Sequence, residues 1–109
     1  LSLDKMPMKE YGYFRLVIGH IESYYNIDRP EKARKIAEFL IQNFNERIFY
    51  YSGVSSYELT QNFSDIEGTL DLYKYIIATC AELDTMEYSD KLKDEFMEAV
   101  KLLEVVLEE

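Results

Sequence analysis

At 109 residues, 48% hydrophobic and 30% charged, the chain has room for one domain with one core and is too apolar to be disordered. Its formal net charge of −9, from 12 basic and 21 acidic residues, repels nucleic-acid phosphates and anionic lipid surfaces. Solubility, or a basic protein partner, is what such a charge serves.

Only 4 Gly and 2 Pro are present, a scarcity that suits helices better than turn-rich β folds. The single Cys80 excludes an internal disulfide. It lies in an apolar helical stretch with no histidine nearby to activate it, which predicts a buried, inert thiol. One free cysteine fits a reducing compartment without excluding an extracytoplasmic one. Apolar runs such as Leu16-Val17-Ile18-Gly19 are far too short to span a bilayer. Leu1 to Glu10 lacks the basic start and apolar stretch of a signal peptide. Because Leu1 is not a methionine, the chain begins inside a longer protein, has been processed, or carries a cloning remnant.

In chain order, residues 1–9 have no periodicity and contain Pro7, which predicts an arm or linker. A single helical domain is predicted over residues 10–109. From Glu10 to Asn26, Phe14, Ile18, Ile21 and Tyr25 recur at helical spacing, with Tyr13, Val17 and Tyr24 widening the stripe. Asn26 to Glu31 reads as a turn and a helix start, with Asp28 as the cap, Pro30 in the first turn and Glu31 completing a capping box. The second helix places Ala33, Ile36, Ala37, Leu40, Ile41, Phe44, Ile48 and Tyr51 on one face. Glu31, Lys32, Arg34, Lys35, Glu38, Gln42 and Glu46 occupy the other. At this length it reaches roughly 30 Å.

Gly53 stands where a C-terminal stop is needed. Tyr57 to Asn62 forms at most a short helical turn. Ser64-Asp65-Ile66-Glu67 reads as a second capping box, opening a third helix with Ile66, Leu70, Tyr73, Ile77 and Cys80 inward. Asp84 to Tyr88 breaks the pattern. Ser89 then opens a fourth helix with Leu92, Phe96, Ala99, Leu103 and Val106 on one stripe. The prediction is an all-α fold of two antiparallel helical hairpins, about four main helices in all. The last residues, Val105-Val106-Leu107-Glu108-Glu109, either pack on the core or offer a surface for a homodimer.

The first hairpin resembles a tetratricopeptide repeat. Tyr24-Tyr25, the Asp28 turn and Glu31-Lys32-Ala33 fall at the repeat's spacing. The resemblance implies that the tyrosine packs between the helices and that Ala33 lets them approach. Ile21 stands where the repeat has a glycine, and no proline follows the overlong second helix. The later hairpin carries no second copy of the pattern.

A wider resemblance covers most of the chain: the repeat-like hairpin, the long second helix ending in Tyr50-Tyr51, and Phe63-Ser64-Asp65-Ile66-Glu67 continuing into Leu70-Asp71-Leu72-Tyr73. In this the chain is similar to the C-terminal soluble tail of an uncharacterised bacterial family of multi-pass membrane proteins, themselves similar to protein O-mannosyltransferases. The resemblance implies a glycosyltransferase-like parent whose chemistry sits in its membrane part, with this tail attached on the extracytoplasmic side. No catalytic residue of that family maps onto this chain.

No enzyme site is predicted from the residues themselves. His20 is the only histidine, which excludes two-histidine zinc sites, and the residue three before it is Val17, not the Glu of a di-iron motif. His20 and Glu22, two apart on a helix, point away from each other. No Gly-x-Ser-x-Gly turn is present. Gly12, Gly19, Gly53 and Gly68 are too scattered for a phosphate loop. Catalytic, cofactor-binding and metal-ligating residues are therefore predicted to be none, and no cofactor is expected. The unusual count is 10 Tyr against 6 Phe and no Trp. Most of these tyrosines serve packing, and Tyr11, Tyr13, Tyr50 and Tyr57 are candidates for an aromatic contact patch. The expected function is a non-catalytic interaction or scaffold domain whose partner is a protein or the parent's own membrane domain. The alternative is an accessory domain that assists substrate access to a membrane glycosyltransferase-like enzyme.

Overall fold

A computed structural model describes the backbone of residues 8–107 and the side chains of residues 10–104. The fold is all-α, with helices α1 (Met8–Asn26), α2 (Pro30–Ser52), α3 (Ser56–Gln61), α4 (Phe63–Leu83) and α5 (Met86–Leu107). The helix expected to start at Glu10 already includes Met8, with Pro7 immediately before it. The rest of the expected arm, residues 1–7, lies outside the described residues. So do the side chains of residues 105–109, and with them Val106 of the predicted stripe and the predicted self-association segment.

Three helix ends form by other means than those predicted. Asp28 has φ 63° and sits in the left-handed region. Its N–H donates to the Tyr25 carbonyl at 3.0 Å, and that of Arg29 donates to the Tyr24 carbonyl at 2.8 Å. This pair of bonds is a Schellman closure, so Asp28 terminates α1 instead of capping α2. Arg29 occupies the N-cap of α2 and makes no side-chain cap bond, while Pro30 supplies the pre-set first turn.

At the start of α4, Asn62 is the N-cap, again without a side-chain cap bond. The Asn62 carbonyl accepts from the N–H groups of Asp65 and Ile66, and Ser64 is exposed within the helix. The expected Ser64–Glu67 box is absent because α3 feeds directly into α4, and because Asp65 turns inward to other partners. At α5 the break is only two residues long. The Thr85 hydroxyl accepts from the Tyr88 N–H at 3.1 Å, so the helix opens three residues before Ser89. Gly53 does end α2, but its φ of −101° makes no use of glycine's freedom.

The packing follows from the apolar stripes. α1 packs on α2 and α4, α2 also on α4 and α5, and α4 on α5. Direction follows from the pairs that meet. Arg47 late in α2 meets Asp65 early in α4, and Arg34 early in α2 meets Asp84 just past α4, so these helices are antiparallel. Glu10 and Tyr25, at the two ends of α1, reach Arg47 and Asp84. α1 is thus antiparallel to α2 and parallel to α4. Tyr88 at the start of α5 reaches Glu38 of α2, and Leu102 near its end shares a groove with Phe49. α5 is therefore parallel to α2. The result is two stacked αα-hairpins, with α1 and α4 in one layer and α2 and α5 in the other.

A relay of rings ties the four long helices together. Phe14 meets Phe44 edge-on at 5.2 Å, Phe44 lies 6.3 Å from Tyr73, and Tyr73 meets Phe96 edge-on at 5.0 Å. Each pair contributes about 0.5–1.5 kcal/mol beyond its area burial. Ala33 and Ala37 are fully buried on α2, with no side-chain bulk to hold α1 away. Among the described residues, no helix is long and apolar enough to cross a membrane.

Candidate functional site

Two polar clusters hold the hairpins in register and set the geometry of the surface. In the first, Asp65 is 0% exposed. It accepts from Arg47 Nη1 at 2.9 Å and from the Tyr51 hydroxyl at 2.5 Å. Arg47, with its side chain 10% exposed, also reaches Glu10 at 3.3 Å. Burial, reinforced by the bond to Asp65, pushes the Tyr51 phenol well above its ordinary range.

In the second cluster Asp84 accepts two hydrogen bonds from Arg34, at 2.9 and 2.5 Å, and one from the Tyr25 hydroxyl. The Arg34 guanidinium holds the Asp84 carboxyl well below the usual carboxylate range, against the opposing effect of burial. Burial, then the bond to Asp84, pushes the Tyr25 phenol up. Arg34 also lies 4.4 Å above the Tyr88 ring, whose hydroxyl donates to Glu38 at 3.0 Å. Every helix except the short α3 contributes to this end of the stack. Among the described residues, no buried side-chain nitrogen or oxygen lacks a hydrogen-bond partner.

With α2 and α5 fixed side by side, a furrow opens between them on the outer face of their layer. One end is lined by Arg34, Thr85, Glu87, Tyr88 and Lys91. The middle runs over Glu38, Ile41, Lys91 and Leu92 to Asn45 and Glu95. The far end, with a volume of about 420 Å³, has Phe49, Ala99 and Leu102 as its apolar lining and Glu95 and Glu98 beside them. Phe49 is 69% exposed and Leu102 41% exposed. Asn45 is fixed there, since its Oδ1 accepts from the Tyr73 hydroxyl at 2.9 Å. The Tyr73 phenol is pushed up to about 12, first by burial and then by the charge of Glu95. The furrow thus has an apolar end and a mainly acidic wall, carried on two packed helices.

The tyrosine patch predicted from sequence is only partly realised. Tyr13, Tyr50 and Tyr57 are exposed, on α1, α2 and α3, whereas Tyr11 is half-buried against the core. The rings of Tyr13 and Tyr50 pair with Phe14 and Tyr51, their own neighbours along the chain. His20 is exposed on α1. Cys80 is fully buried, its Sγ 3.6 Å from the Tyr25 hydroxyl, and burial pushes its thiol up. Among the described residues, no three His, Cys, Asp or Glu side chains converge as a metal site would require.

Sequence reasoning missed the furrow, although a signal was present. Phe49, which lines the furrow, falls off the apolar stripe of α2 and is exposed. Compared with protein-family models, with curated proteins and with solved structures, the chain finds no match.

Proposed function

We propose that this chain is a non-catalytic protein-interaction domain, built as two stacked tetratricopeptide-like hairpins, whose contact surface is the α2/α5 furrow. The observation that carries this is a pair of large apolar side chains, Phe49 and Leu102, presented to solvent side by side in an open groove on two rigid helices. Exposed apolar patches with polar rims mark sites of protein association. The buried charged groups hold the helices together, which leaves packing and surface complementarity as the domain's chemistry. Attachment to a larger membrane parent is supported by the sequence resemblance described above.

The test compares proteins captured from the source cells by the immobilised chain and by its F49D/L102D variant. Both positions are solvent-accessible, so the variant keeps its helical circular dichroism. A specific partner held by the wild type and lost by the variant is expected. An identical set of captured proteins would remove the furrow from the account.

A further inference from the structure

The walls of the furrow carry unequal charge, and that inequality selects an occupant. Around the apolar end stand Glu95 and Glu98 of α5, and Glu38 of α2 lies further along. The cations along the furrow are Arg34 at the other end and Lys91, which lines both that end and the middle, against the carboxylates of Glu38, Glu87, Glu95 and Glu98. Arg34 is already committed to Asp84 through two hydrogen bonds. Glu98 shares an ion pair with Lys101 of its own helix at 3.6 Å, solvent-exposed on both sides and therefore weak and easily exchanged. The carboxylates beside Phe49 and Leu102 are thus open to a new cation, in a chain whose net charge is −9.

Resting on the interaction reading above, we propose that the furrow docks a basic amphipathic helix from a partner protein, apolar side chains against Phe49 and Leu102 and Lys or Arg against Glu95 and Glu98. From Thr85 to Leu102 the α5 wall runs roughly 25 Å, the length of about 17 helical residues. A ridge of residues three and four apart on such a helix would lie along the groove between α2 and α5. Nucleic acid is repelled by the same carboxylates. A second copy of this chain brings like charge to the furrow.

The test uses the full chain, ¹⁵N-labelled, and three synthetic peptides of roughly 16 residues, long enough to fill the furrow as a helix. One is amphipathic Leu/Lys, one is the Leu/Glu counterpart with the same pattern, and one is Leu/Lys with the amphipathic order scrambled. The Leu/Lys helix is expected to shift the amide resonances of Phe49, Ala99 and Leu102 and the side-chain amide of Asn45, while the other two leave them in place. E95K/E98K should weaken that binding by roughly tenfold or more, and E67K/D71K, on the exposed side of α4, should leave it unchanged. Deleting residues 1–7 should likewise leave the titration unchanged.

Equal binding of the Leu/Glu peptide, shifts centred on another face, or an effect of E67K/D71K matching that of E95K/E98K would overturn the proposal. So would furrow resonances that move with concentration of the chain alone, which assigns the surface to a second copy. If F49D/L102D loses a cellular partner while the Leu/Lys peptide leaves the furrow untouched, the interaction reading stands and the basic-helix inference falls.

Discussion

The two ends of the hairpin stack use the same three residue types in different surroundings. At one end Arg47 of α2 meets Asp65 of α4 and Tyr51. At the other Arg34 of α2 meets Asp84 and Tyr25. Asp65, Tyr51 and Asp84 are all sealed from water or nearly so, and the difference lies in the cation: the Arg47 side chain is 10% exposed and that of Arg34 39%. A charge sealed inside depends wholly on its partners, because removing one leaves an ion with neither water nor counter-charge. A part-exposed cation such as Arg34 is shared with solvent and contributes less. The sealed end therefore works as a lock between hairpins, and the open end as an adjustable clasp.

The largest expected effect breaks the lock. R47M should lower the unfolding free energy by about 3–5 kcal/mol, measured by urea denaturation, because Asp65 is left buried without its cation. R34M at the clasp should cost less, about 1–3 kcal/mol, since Asp84, although its side chain is only 3% exposed, keeps its bonds from Tyr25 and the Thr85 N–H and is covered by an Arg34 head that is itself in contact with water. Equal losses at the two sites would remove the distinction between them.

The pH profile sharpens the same contrast. Asp84 has a folded pKa below its unfolded value, so it contributes stability above about pH 4 that is lost as pH falls toward the folded pKa. D84N should flatten that acid limb in a series of urea midpoints. The tyrosines behave oppositely. Tyr25, Tyr51, Tyr73 and Tyr88 all have raised folded pKa values, so their stabilising contribution is full below about pH 10 and falls as pH rises above it. Unfolding followed by phenolate absorbance should be cooperative, with these four rings titrating only as the chain opens.

Smaller effects lie at the periphery. D28G should stabilise the fold by up to about 1 kcal/mol, because glycine adopts the left-handed closure of α1 without a Cβ penalty. F49S in the furrow should change stability by no more than about 0.5 kcal/mol, as suits an exposed side chain whose role lies outside the fold. A loss there comparable to that of a core substitution would make Phe49 a packing residue and weaken the case for the furrow.

Helical periodicity made the four long helices and their inward residues legible, from Phe14 and Ile18 to Leu92 and Leu103. Cap residues were less legible, because their roles are decided by distant partners. Asp65 sits in a sequence typical of a capping box, yet Arg47, 18 residues earlier, and Tyr51 draw it inward. Asp28 has the chemistry of an N-cap, but the bonds it and Arg29 donate to Tyr25 and Tyr24 close the preceding helix first. The second hairpin lacks the repeat pattern in sequence while stacking parallel to the first, because packing requires apolar stripes and not particular residues. The furrow was hidden for a related reason. Phe49 and Leu102 are 53 positions apart, and only the parallel alignment of α2 with α5 brings them together.

The most direct test of the furrow as a contact surface places a photo-reactive benzoylphenylalanine at position 49 of the chain in its own cells, with position 71 on the exposed side of α4 as the control. The account predicts an ultraviolet-dependent cross-link to another polypeptide, through a basic helical segment, from position 49 and none from position 71. Equal cross-linking at both positions, or none at position 49, would contradict it.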